Sequence, residues 1–307
     1  MGRKVCDRSA GVGAAVMRVL LTGATGFIGR YVIDELEGIG IDYVTMGRNH
    51  STSEKHIQLD LLSDENLFEH LKRIKPTHLI HIAWYAEHGK YWESPLNISW
   101  LAATSRLVEA FCQSGGKHVV VTGTCAEYDW RYGYCVEDLT PLIPKTLYGI
   151  AKNSAREIAA QTCKNYGVGL AWARIFFPYG AGESADRLIP SLLKVYQGDK
   201  PAFGVNASCY RDLLHVSDVA SAISICAQKE VCGEINISSS EPLSLKSIVG
   251  LIASKFEKSP NIILSLESSR LAEPQFLIGD NKKIKSYGWC QKVSFENGLD
   301  LCRKINI

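Results

Sequence analysis

Short apolar runs alternate with segments of helical period from Met17 to about Ile175. Val19-Leu20-Leu21, Tyr43-Val44-Thr45-Met46, His78 to Ala83, His118 to Thr122 and Leu170 to Ile175 read as strands. Between the first two, Phe27 to Gly38 places Ile28, Val32, Ile33 and Leu36 on one helix face. A short third strand ends near Asp60. Strands that are apolar throughout, separated by helices, imply a parallel sheet covered on both faces. The expected fold is α/β, with a doubly wound parallel sheet.

After Pro178 the pattern loosens. Leu188 to Tyr196, Val216 to Gln228 and Leu245 to Phe256 read as helices, and Ile235-Asn236-Ile237 as a strand. The expected division is a Rossmann-type domain over 17–177, with returning segments near 212–238 and 276–290. A smaller lobe comes from 178–211 and 239–275, and a C-terminal helix from 291–307. A ligand belongs between the two. Residues 1–16 read as a disordered tail, a cloning remnant or the product of an upstream start, with Met17 as the natural first residue; a signal peptide needs a longer apolar stretch.

Composition narrows the classes. The 307 residues carry a net charge of only +2, so no broad basic face for nucleic acid is expected. No apolar run approaches the roughly 18 residues that span a bilayer, so no membrane partner is expected. The ten cysteines form no CxxC pair, which reads as free thiols in a reducing, cytoplasmic setting without a metal site.

Candidate chemistry begins right after the first strand, at Thr22-Gly23-Ala24-Thr25-Gly26-Phe27-Ile28-Gly29. Glycines between a strand and a helix let backbone approach a pyrophosphate, and the helix N-terminus favours its charge. Gly23, Gly26 and Gly29, with Thr25, Phe27 and Ile28 in the same turn, are candidate cofactor contacts. The second strand ends at Met46-Gly47-Arg48-Asn49, where an acid usually binds the adenosine ribose of NAD. Arg48 instead suits a 2′-phosphate, so NADPH is expected over NAD. Asp60, followed by Leu61, either meets the adenine or caps the next helix.

Tyr148 and Lys152 stand at i and i+4, on one face of a helix whose buried stripe is expected at Leu147, Ala151, Ala155, Ile158 and Thr162. A free phenol is a poor proton carrier at neutral pH, and a neighbouring ammonium favours the phenolate. A third group is expected from Thr122-Gly123-Thr124-Cys125-Ala126-Glu127-Tyr128. Thr124 is the candidate, with the hydroxyls of Thr122 and Tyr128 as rivals. Glu127 either binds sugar hydroxyls or is a cap.

At these residues the chain resembles the extended short-chain dehydrogenase/reductases, the group of nucleotide-sugar epimerases, dehydratases and 4-keto reductases. The resemblance covers essentially all of 17–305. It rests on TGATGFIG, HIAW (81–84), TGTCAEY (122–128), YGIAK (148–152), RIFFPYG (174–180), RDLLHVSDVA (211–220), GEINISSSEPLSL (233–245), RLAEP (270–274) and YGW (287–289). It implies Ala83, Trp84, Tyr148 and Lys152 beside the cofactor, with Lys152 holding the nicotinamide ribose, and Tyr148, Lys152 and Thr124 as the catalytic set. Arg211 and Arg270 match positions that clamp a diphosphate, which suits the forked donors of arginine. Asn97, His88, Phe177 and Arg187 are further candidate substrate contacts, Phe177 standing where relatives often have asparagine. Trp84, Tyr85, Tyr91 and Trp92 either shape a sugar pocket or pack lobes, and His215 is expected to be structural. The group often dimerises through helices near 92–114 and 146–165, so a homodimer is expected.

The resemblance implies an NADPH-dependent reduction of the C4 ketone of a nucleotide-linked 4-keto-6-deoxyhexose, with Tyr148 supplying the proton. A dehydratase places an acid pair after the catalytic threonine, where this chain has Cys125 and Ala126. The alternatives are a 4-epimerase with tightly held NAD and a catalytically silent dinucleotide-binding module.

Overall fold

The computed structural model describes residues 17–63, 66–266, 268 and 274–305. Seven parallel strands form the main sheet: β1 (Arg18–Thr22), β2 (Asp42–Gly47), β3 (His56–Gln58), β4 (His78–His81), β5 (His118–Thr124), β6 (Gly169–Ile175) and β7 (Gly233–Ile237). Their order is β7-β6-β5-β4-β1-β2-β3. The order reverses between β1 and β4, and a ligand crevice lies at such a reversal, outside the carboxyl ends of the strands.

Alternation along each strand builds the two faces. Val19 and Leu21 enter one core with Val120, while Leu20 enters the other with Val119 and Val121. Helices α1 (Phe27–Gly38) and α6 (Val216–Gln228) cover the first face through Val32, Leu36, Val219 and Ile223. Helices α2 (Leu67–Ile74), α3 (Leu96–Gln113) and α4 (Leu147–Tyr166) cover the second. The expected stripe on α4 is displaced. Ala151, Ala155, Ala159 and Cys163 are buried at strict i, i+4 spacing, whereas Ile158 is exposed and Leu147 and Thr162 are half-buried. Three alanines let α4 lie close on its neighbours, and the larger Ile158 turns outward.

A third core unites α5 (Leu188–Gln197), α7 (Leu245–Lys255) and the helix Phe295–Ile305 through Leu192, Ile248, Ile252 and Leu299. A small four-stranded sheet joins Leu243–Ser244, Tyr210–Arg211, Phe276–Gly279 and Tyr134–Cys135. Buried Asp212 holds this region together by accepting from Ser239 N–H (2.6 Å), Ser239 Oγ (2.7 Å), Ser240 N–H (3.1 Å) and Gly279 N–H (3.0 Å).

Candidate functional site

The glycine turn has the geometry its sequence demands. Gly23 has φ of +77°, and a Cβ there would sit 2.7 Å from the Ala83 nitrogen. A Cβ on Gly29 would sit 2.0 Å from the Gly23 carbonyl oxygen, so only glycine lets α1 lie this close to β1. Gly26 N–H donates to Gly23 O at 3.0 Å, and Gly26 caps α1 without a side-chain hydrogen bond. The first N–H groups of α1 are thus offered to an anion rather than to a cap. Thr25 is exposed beside Gly26, and Phe27 and Ile28 are half-buried in the first turn. These residues fit a dinucleotide pyrophosphate. Arg48 is exposed at the end of β2, next to Asn49, whose amide reaches Thr25 Oγ1 at 3.5 Å. Asp60 Oδ1 accepts from Leu62 N–H at 3.0 Å and so closes a turn, with Leu61 buried beneath it.

The C-terminal ends of β4 and β5 meet α4 at the same edge. His81 is buried and lies between Thr22 Oγ1 (2.6 Å) and Thr104 Oγ1 (2.9 Å). Burial, reinforced by nearby Lys152, lowers its pKa to about 3 and keeps it neutral. Lys152 is 3% exposed, and its Nζ donates to Thr122 O at 2.8 Å. Burial lowers its pKa to about 7, with Glu127 acting in the opposite sense.

Tyr148 starts α4, and its N–H is held by Trp92 O at 2.9 Å. The rings of Tyr91, Trp92 and Trp84 meet the Tyr148 ring edge-to-face at 4.9, 5.8 and 6.4 Å. This packing raises the Tyr148 pKa above the usual tyrosine value, and Tyr91 adds to the rise. The Thr124 hydroxyl faces the phenol and pulls the other way. In the structure burial is the larger influence on this phenol and favours its protonated form.

The rivals of Thr124 point elsewhere. Thr122 Oγ1 donates to His81 O at 3.3 Å, and Tyr128 OH donates to Asn236 Oδ1 at 2.8 Å in the core. Two candidate substrate contacts are corrected as well. Glu127 is wholly buried; its carboxylate accepts from Thr124 N–H (2.8 Å), Trp172 Nε1 (2.9 Å) and Arg174 Nε (2.7 Å). It is the cap of the turn after β5, closing a Thr124-x-x-Glu127 capping box. Asn97 is also wholly buried, donating to Tyr91 O (2.7 Å) and Ser94 O (3.0 Å) and accepting from Trp84 Nε1 (2.9 Å). Its amide is spent on shaping the loop after β4.

Phe177 and Arg211 come together, with the guanidinium 5.7 Å from the ring centroid. Arg211 is anchored by donating to Tyr210 O (2.8 Å) and Pro274 O (2.9 Å). Arg187 pairs with Glu183 at 3.3 Å, and burial raises the Glu183 carboxyl to about 7. His88 is exposed on the loop after β4. His215 is structural: its ring caps α6 and meets Ser217 Oγ at 2.7 Å. Arg270 lies outside the described residues. Sequence reasoning missed the hold of Trp92 O on the Tyr148 N–H and the approach of Trp84 to Lys152; neither contact follows a helical or strand spacing.

The NAD dependent epimerase/dehydratase family model matches residues 19–238. The chain belongs to this family. It is an extended short-chain dehydrogenase/reductase, as its motifs implied, and the family acts on nucleotide sugars. A dTDP-6-deoxy-L-talose 4-dehydrogenase (NAD(+)) of Aggregatibacter actinomycetemcomitans is 24% identical over 76% of this chain and 88% of its own. A trifunctional UDP-glucose 4,6-dehydratase/UDP-4-keto-6-deoxy-D-glucose 3,5-epimerase/UDP-4-keto-L-rhamnose-reductase of Arabidopsis thaliana is 24% identical over 92% of this chain. The chain spans about half that relative's length, 46%. Among solved structures, MoeE5 in complex with UDP-glucose and NAD superposes with a TM-score of 0.79 at 27% identity, covering 94% of this chain and 98% of that one.

Proposed function

We propose that this family member reduces the C4 ketone of a nucleotide-linked 4-keto-6-deoxyhexose with NADPH. The observation that carries the reading is the placement of the Tyr148 phenol beside Thr124 and packed by Tyr91, Trp92 and Trp84, where burial favours its protonated form. A phenol that keeps its proton is a donor, and reduction of a ketone needs a donor to the oxygen. Bound NADPH supplies the hydride. Thr124 orients the carbonyl oxygen, and Tyr148 gives it a proton. Lys152 holds the nicotinamide ribose, and Gly23, Gly26 and Gly29 admit the pyrophosphate. Arg48 takes the 2′-phosphate. Arg211 clamps the substrate diphosphate, and Cys125 and Ala126, where a dehydratase needs acids, argue against dehydration.

The test is loss of NADPH absorbance with dTDP-4-keto-6-deoxyglucose and its GDP- and CDP-linked analogues. Oxidation with one of them supports the reductase and names its nucleotide. A second reading, a 4-epimerase holding NAD tightly, is favoured by the NAD in MoeE5. Interconversion of a nucleotide hexose at C4 without net NADPH loss, together with NAD that copurifies, selects it instead.

A further inference from the structure

Lys152 is an ammonium in an unusual place. It is 3% exposed, and among the described residues no carboxylate lies within ion-pair distance of it. Its one hydrogen bond goes to the Thr122 carbonyl. The groups that face it offer little compensation. His81, on β4, is neutral and committed to Thr22 and Thr104. Glu127, after β5, attracts it, but that carboxylate is engaged by Trp172 and Arg174. Tyr148, on its own helix, is a phenol whose protonated form burial favours. A buried ammonium so placed tends to lose its proton.

One group does face the charge directly. The Trp84 indole presents its face to Lys152 Nζ, 4.0 Å from the ring centroid. The negative face of an aromatic ring attracts a cation, most strongly for tryptophan and most of all where water is excluded. The ring is held there from three sides. Its Nε1 donates to buried Asn97 Oδ1 at 2.9 Å, it stacks on Trp100 at 6.3 Å and 29°, and its edge meets Tyr148. Asn97 cannot turn away, because its own amide nitrogen is fixed by Tyr91 O and Ser94 O.

We propose that Trp84 is a positioning residue that keeps Lys152 charged through the face of its indole, doing the work of a counter-ion, and that Asn97 sets the ring for this task. The site then holds a cation for the cofactor ribose without a carboxylate that would compete for sugar hydroxyls. Burial takes the Lys152 pKa to about 7, and the attraction of the ring face opposes that fall.

The experiment is a titration of the full chain with isotope-labelled lysine side chains, read by NMR from about pH 5 to 10, a range that brackets the shifted group. The Lys152 signal is assigned by its loss in Lys152→Met. In Trp84→Leu the Lys152 midpoint is expected to drop by about one pH unit, with Trp84→Phe in between. Protein grown on fluorinated tryptophan keeps the shape of the ring but weakens its negative face, and the midpoint is expected to drop there too. That arm decides the matter if Trp84→Leu does not fold. A midpoint unmoved by fluorination overturns the proposal. The titration needs no substrate, so failure of the keto-sugar assay and failure of this inference are separate results.

Discussion

Tyr148 is the residue on which the chemistry turns, and its environment fixes its direction. Replacing it by phenylalanine removes the proton donor but keeps the ring that Tyr91, Trp92 and Trp84 pack against. Turnover should fall by about 10²–10⁴-fold while the thermal midpoint stays unchanged; turnover near the wild-type rate would falsify the assignment. Lys152 carries a pH prediction. Its lowered pKa means that it is charged below about pH 7 and neutral above. If the ammonium form holds the ribose, dinucleotide affinity weakens as pH rises through this value, by at most about tenfold per unit. Binding at pH 8 must then take up protons, which calorimetry in buffers of different ionisation enthalpy detects. Not every residue was equally legible. Thr124 and Glu127 stand at the T-x-x-E spacing of a capping box, so the buried role of Glu127 was already available as an alternative. Trp84 over Lys152 was not, because the contact joins a loop after β4 to a helix some seventy residues later, and nothing local encodes it.

Elements are tied together by a buried polar network. Arg174 on β6 pairs with Glu127 at 2.7 Å and donates to Tyr128 OH at 3.1 Å; Tyr128 reaches Asn236 on β7, whose amide donates to Cys135 O at 3.0 Å. Both charges are fully buried, so removing one strands the other. Arg174→Leu should destabilise the fold by about 3–5 kcal/mol, as chemical denaturation would measure, and should loosen the turn that carries Thr124. Loss below about 1 kcal/mol would mean that Glu127 finds another partner or a proton. The strands and most helices were readable because continuous apolar runs and 3.6-residue periods reflect which faces are covered. On α4 the expected stripe fails at Ile158 because the small residues at 151, 155 and 159 mark the tight side.

At the scale of the molecule, the parallel sheet covered on both faces followed from the alternation of strands and helices, and the helices of the core assembled from 179 to 302 were readable too, whereas their packing into one core was not. Among the described residues no helix is long and apolar enough to cross a membrane. Leu96, Ile98, Ile150, Ile158 and Tyr166 are nonetheless exposed, all on the paired helices α3 and α4. Such a patch suits a two-fold interface, in which each helix pair meets its copy. We expect a dimer in solution by light scattering, and a monomer for the double substitution Ile98→Lys, Ile158→Lys; an unchanged mass would place the contact elsewhere.

The position of β7 has a consequence for the nascent chain. This strand, at the edge of the sheet beside β6, is made only after the whole of 176–232 has been synthesised. Until Gly233–Ile237 emerges, β6 presents an open row of backbone donors and acceptors, and Tyr128 lacks its Asn236 acceptor. An open apolar edge invites pairing with another chain. Ribosome-stalled chains ending near residue 228 should therefore be protease-sensitive and recruit holdase chaperones, and extension until Gly233–Ile237 has cleared the ribosome should release them.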